Sequence, residues 1–151
     1  MAYFDFTAGQ PLLASQLDSA FDNAGWTAYT PTLTNFTVGN GTFQSAYAQI
    51  GKTVVVRFKF TYGSTSTASG TFTASVPVTP KATNTLGDAL IDDSSGSIYP
   101  AQAYLSSAGT FTMRVFNAAG TYAIWAAASN TVPVVPNAAD VYTALLVYEA
   151  A

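Results

Sequence analysis

The chain has no cysteine and no histidine, and only 9% of its 151 residues are charged. Without cysteine there is no disulfide, no thiolate nucleophile and no thiolate zinc site. Without histidine the commonest general base and the commonest metal ligand are missing too. Serine and threonine are plentiful, yet nothing stands beside them as an activating base, and no S-x-x-K spacing brings a lysine to a serine. No glycine-rich loop leads into a helix to cradle a phosphate. The basic residues Lys52, Arg57, Lys59, Lys81 and Arg114 form no run and the net charge is −3, so the footprint that neutralises nucleic-acid phosphates is absent. No segment approaches the roughly 18 apolar residues of a membrane-spanning helix, and the first residues lack the layout of a signal peptide. These absences predict a protein that is not an enzyme, carries no cofactor, binds no nucleic acid and inserts in no membrane.

What is present is apolar and aromatic: half of the residues are hydrophobic and 14% are Phe, Trp or Tyr. Disorder is therefore not expected, and one domain of this size buries a proper core. The polar load falls on Thr, Ser, Asn and Gln. Such a surface suits contact with other protein, where each unpaired buried charge costs several kcal/mol.

Residues 1–25 read differently from the rest. Tyr3, Phe4 and Phe6 make an aromatic knot. Ser15 and Asp18 then form a carboxylate version of a capping box. Leu13, Leu17, Phe21 and Ala24 recur at the spacing of an apolar helix face, and Gly25 is a natural stop. The spacing predicts a helix over residues 15–24. A helix that short is marginal alone, so it must dock on its own domain, on sister subunits or on a larger assembly. Phe4, Phe6, Leu13, Leu17 and Phe21 are the expected anchor contacts.

From Trp26 onward the punctuation is that of an all-β chain. Residues 54–62 alternate without a break: Val54, Val56, Phe58, Phe60 and Tyr62 on one face, Val55, Arg57, Lys59 and Thr61 on the other. Other strands are expected over residues 27–33 (weakened by Pro31), 42–49, 71–76, 88–91, 98–105 and 111–116, with the register near Trp125 open. A polar loop is expected over residues 63–70. The last strand, 141–149, is apolar on both faces, so it is either central and covered twice or lies at a subunit interface, the latter favoured. Eight to ten short strands predict an antiparallel β-sandwich, jelly-roll-like, over residues 26–151.

Two sets of residues are candidates for chemistry. Asp88, Asp92 and Asp93 are the only acidic cluster. They would hold an ion or act as paired carboxylates, but no calcium-loop signature is complete, and a DDSSG sequence is foremost an ordinary turn. Trp26, Tyr29 and Trp125 are candidates to stack on a glycan, against the plainer role of core or interface.

The segment from Trp26 to Pro77 resembles a β domain of bacteriophage virion proteins, in particular minor tail and head-surface proteins of phages infecting actinobacteria. The matching elements are WTAYTPTLTN at 26–35, VGNGT at 38–42, YAQIGKTVVVR at 47–57, FTYGST at 60–65 and GTFTASVP at 70–77. FTAGQPLLASQLDSAF at 6–21 is similar to the lead-in of such domains. Beyond Pro80 only general β character remains. The resemblance implies a structural protein on the particle surface, a capsid decoration, head-fibre or minor tail protein. It also implies a homo-oligomer, commonly a trimer, fixed through its N-terminal segment to a major capsid or tail protein. The motifs are structural and bring no catalytic residue. The alternative is a module that binds a host surface glycan.

Overall fold

A computed structural model of the chain describes residues 25–84, 86–107, 109–118 and 123–151. The anchor candidates Phe4, Phe6, Leu13, Leu17 and Phe21 lie outside the described residues. Eleven strands are formed among the described residues. They are β1 (Thr27–Ala28), β2 (Leu33–Thr37), β3 (Thr42–Phe43), β4 (Ala46–Ile50), β5 (Thr53–Thr61) and β6 (Thr67–Ser75), followed by β7 (Leu86–Asp92), β8 (Ile98–Ser107), β9 (Thr110–Asn117), β10 (Ile124–Ala127) and β11 (Val141–Glu149). Every pairing is antiparallel. The all-β, antiparallel expectation is met. The strands form one hydrogen-bonded path, β1-β4-β5-β11-β7-β8-β9-β6-β2, with β3 added on β5 and β10 on β9.

The path curls on itself. β1 and β2 stand at its opposite ends, yet only residues 29–32 separate them in sequence. An extended chain spans at most about 3.6 Å per residue, so the two ends of the sheet lie within about 18 Å of each other. Pro31 sits in this crossover and cannot donate to a ladder, which is why the expected strand over 27–33 breaks into two pieces on different edges.

Curling places strands far apart in the path face to face. The five alternating residues of β5 and its continuation, Val54, Val56, Phe58, Phe60 and Tyr62, all point inward and are buried. They meet Phe72 of β6, Phe111 of β9, Phe36 of β2 and Tyr142 of β11. Phe58 and Phe72 lie 5.8 Å apart, and Phe36 and Tyr142 5.9 Å, in edge-on contact. This aromatic centre joins the two halves of the curl.

The polar motifs close one end. Asn40 of the Gly39-Asn40-Gly41 turn accepts through Oδ1 from the Thr65 amide at 2.9 Å, and the Asn40 amide donates to Thr65 Oγ1 at 2.9 Å. Gly39 has φ +56, and an added Cβ would lie 2.4 Å from the Thr65 carbonyl oxygen, so only glycine fits beneath the second turn. The supposed loop over 63–70 is thus shorter: residues 67–70 already belong to β6, with Ala68 opposite Phe36. Alternating Thr and Ser on this strand, paired with the end strand β2, satisfy the pleat without any apolar signal. The strand expected over 42–49 breaks at Ser45, whose Oγ accepts from the Lys59 amide at 3.1 Å where the ladder is interrupted.

Buried tyrosines carry a pH consequence, Tyr142 and Tyr148 among them. Burial raises the Tyr148 hydroxyl to about 12, and burial followed by the Asp140 carboxylate holds Tyr142 well above the ordinary tyrosine value. The folded state therefore keeps protons that the unfolded chain releases above about pH 10. Stability from these groups is complete below that pH and is lost as pH rises through the folded values. Unfolding free energies from urea melts should be flat between pH 7 and 9, then fall above pH 10 by at most about 1.4 kcal/mol per pH unit for each tyrosine, and by less for the more solvated Tyr148. A midpoint unchanged to pH 12 would show that these hydroxyls are solvated.

Candidate interaction surface

The face of the sheet turned away from the core holds the groups available for contact. Directly paired residues share a face, so registers assign it without ambiguity. Leu145 of β11 lies between Arg57 of β5 and Asp88 of β7. Asp88 pairs with Gln102 of β8, Gln102 with Arg114 of β9, and Arg114 with Ala127 of β10. Around this row stand exposed apolar side chains. Leu86, Leu145 and Val147 form one group, 55%, 46% and 49% exposed, and Phe116 with Trp125 a second. Ile98 is exposed beyond them on β8.

The last strand settles its two apolar faces here. Tyr142, Ala144, Leu146 and Tyr148 go to the core, whereas Leu145 and Val147 face out. β11 is central in the ladder, between β5 and β7, but only its inward face is covered among the described residues. Its second apolar face was the sequence signal for this surface. Leu86 carried none, because it sits at the start of a strand beside a glycine. An added Cβ on that Gly87 would lie 2.3 Å from the Leu145 carbonyl oxygen, so β7 approaches β11 closely there.

The candidate aromatics separate. Trp26 is half exposed, with the Arg57 guanidinium 5.2 Å from its ring centroid. Trp125 pairs with Phe116 on β9 and meets it edge-on at 5.6 Å, which resolves the register left open by sequence. From β5, beneath Trp26, to β10 is five strand spacings, about 24 Å along the sheet at about 4.8 Å each. The two tryptophans are on one face but do not make one platform. Tyr29 packs into the crossover, 6.1 Å from Tyr47, with a buried hydroxyl that has no partner among the described residues. Burial raises its pKa well above the ordinary value.

Nor do the aspartates converge. Asp88 and Asp92 are exposed strand residues, while Asp93 is buried and makes a local turn: its Oδ1 accepts from the Ser95 amide at 2.9 Å and its Oδ2 from the Ser95 hydroxyl at 2.8 Å. Among the described residues no three acidic groups are gathered as a metal would need. DDSSG is the turn that its composition predicts.

Between β5, β11 and β7 the outer face dips into a groove of about 790 Å³, bordered by Gln44, Arg57, Lys59, Asp88, Leu90, Thr143 and Leu145. One wall is basic, from Arg57 and Lys59, and its floor is aliphatic. Among the described residues the single ion pair is Lys81 with Glu149 at 2.8 Å, so neither groove cation has a carboxylate partner there. The surface offers apolar area, ring faces and two cations, which is chemistry for binding. Comparison with protein-family models, with curated proteins and with solved structures finds no match for this chain.

Proposed function

We propose that this protein is a structural component of a bacteriophage particle, displayed on its surface as a capsid decoration, head-fibre or minor tail protein. It works by burying neutral, apolar surface and not by catalysis. The observation that carries this reading is the outer sheet face, where Leu86, Leu145, Val147, Phe116 and Trp125 remain exposed on an antiparallel sheet. Large exposed apolar groups that lie near one another mark a contact surface. In this reading the curled sheet is an opened variant of a jelly-roll-like sandwich, the chain assembles as a homotrimer, and residues 1–25 link it to a major capsid or tail protein.

Light scattering on the purified chain tests the assembly: the expected mass is three times the 15.7 kDa of one chain. A monomer at all concentrations would remove the trimer. Deleting residues 1–25 should leave a folded, soluble β domain that no longer joins particles, and full incorporation of that truncation would remove the link.

A second reading is supported by the Trp125–Phe116 pair, an exposed aromatic step of the kind on which a sugar ring stacks. If the protein contacts a host surface glycan, selective binding on a glycan array should disappear in Trp125→Ala.

A further inference from the structure

Asn40 is the one asparagine in the sequence that is followed by glycine, a pair that can react with itself. We propose that Asn40–Gly41 is a self-modifying site, a deamidation held shut by the clasp between the two turns and released when that clasp opens.

The chemistry needs only water. The Gly41 amide nitrogen gives up its proton and bonds to Asn40 Cγ. The bond from Cγ to Nδ2 breaks, and ammonia leaves with the proton, so a cyclic imide remains. Water then adds to one of the two imide carbonyls, and the ring opens to aspartate or to isoaspartate. One water is consumed and one ammonia released, with no change of oxidation state. Glycine favours the closure because no Cβ shields its nitrogen.

The fold opposes each part of that step. Attack requires the Asn40 side chain to turn back on its own main chain, but its amide is pinned at both ends to the facing turn. Oδ1 accepts from the Thr65 amide at 2.9 Å and from the Thr65 hydroxyl at 3.0 Å, while Nδ2 donates to Ser64 Oγ at 3.0 Å. The nucleophile is engaged too, because the Gly41 amide donates to the Val38 carbonyl at 2.8 Å. Gly63 closes the space on that side: an added Cβ there would lie 2.5 Å from the Gly41 nitrogen. These contacts must give way together before the imide can form. Asn40, Ser64 and Thr65 are all exposed, so the clasp can part locally while the aromatic centre stays packed. Isoaspartate adds a carbon to the main chain just ahead of β3, where Thr42 and Phe43 pair with Thr61 and Phe60. That product displaces the turn, so one opening event becomes permanent. The site is independent of the particle reading.

Mass spectrometry on the full-length chain, incubated at mildly alkaline pH, tests this. Trypsin releases residues 1–52 as one peptide, in which Asn35, followed by phenylalanine, is the internal reference. Asn40 in the folded chain should deamidate at least about 10-fold more slowly than in urea. Thr65→Val keeps the side-chain shape but removes the hydroxyl that donates to Asn40 Oδ1 and accepts from the Asn40 amide at 2.9 Å. It should speed the folded reaction roughly 3- to 30-fold and leave Asn35 unchanged. Ser64→Ala should give a smaller acceleration, and it carries the comparison if circular dichroism shows Thr65→Val unfolded. Equal rates in the folded and urea states would overturn the proposal. So would rates in folded variants that match the parent chain, or an acceleration shared by Asn35, which would report general unfolding.

Discussion

Phe72→Ala should lower the unfolding free energy by about 3–5 kcal/mol, the usual cost of removing a buried aromatic ring and leaving its cavity. Phe72 is fully buried on β6 and makes four ring contacts: with Phe36 at 5.1 Å, Tyr142 at 5.6 Å, Phe58 at 5.8 Å and Phe111 at 6.3 Å. Those partners come from β2, β11, β5 and β9, so the ring joins both halves of the curled sheet. The loss is large against the roughly 5–15 kcal/mol that holds most domains folded. At about 2–4 °C per kcal/mol for a chain of this size, the melting temperature should fall by roughly 6–20 °C. Phe116→Ala is the control. That ring is 57% exposed on the outer face, and its removal should cost under about 1 kcal/mol. Equal losses for the two would mean that the aromatic centre is not the core.

The contrast between those two phenylalanines also marks what the amino-acid pattern reveals. Strict alternation in β5 identifies every inward residue from Val54 to Tyr62, because side-chain direction in a strand has a period of two and needs no knowledge of neighbours. Gly51-Lys52 and the DDSSG turn are legible for the same local reason. Strand order is not. Nothing in Val141–Glu149 says that it inserts between β5 and β7, since all inner faces present similar apolar groups and the pairing partner is chosen only when the whole core assembles. The split at Pro31 was visible as a weakness, but its consequence, one piece at each end of the sheet, depends on curling. VGNGT and YGST read as separate turns, and only folding shows Asn40 and Thr65 clasped together. The surface was half legible: the second apolar face of β11 announced Leu145 and Val147, whereas the groove needs three strands brought side by side. Trp26 and Trp125 looked equivalent in sequence and differ in what they touch, a guanidinium in one case and a phenyl ring in the other.

Asp140→Ala should be the most damaging polar substitution, costing about 2–4 kcal/mol. Asp140 is 0% exposed, and its side chain bonds to two loops at once. Its Oδ1 accepts from the Ser94 amide in the β7–β8 turn at 2.9 Å, and its Oδ2 from the Asn137 amide ahead of β11 at 2.7 Å. Its own carbonyl accepts from the Tyr62 amide at 2.8 Å, so the backbone here also continues the ladder from β5. Hydrogen bonds to a charged acceptor contribute about 1.5–3 kcal/mol each. Truncation removes both and leaves two amide donors poorly satisfied, while relief from burying a carboxylate offsets part of the loss. Asp140→Asn separates these contributions. One oxygen remains to accept from one amide, but the new NH₂ faces the other amide, donor against donor. Asparagine should therefore recover less than half of the deficit. Hydrogen exchange locates the effect: the Ser94 and Asn137 amides should lose protection in both variants, while Phe72 in the aromatic centre keeps it under native conditions. A fully stable Asp140→Asn would mean that the carboxylate is not what fastens these loops, and that packing of Tyr142 against Phe72 holds this end of the sheet by itself.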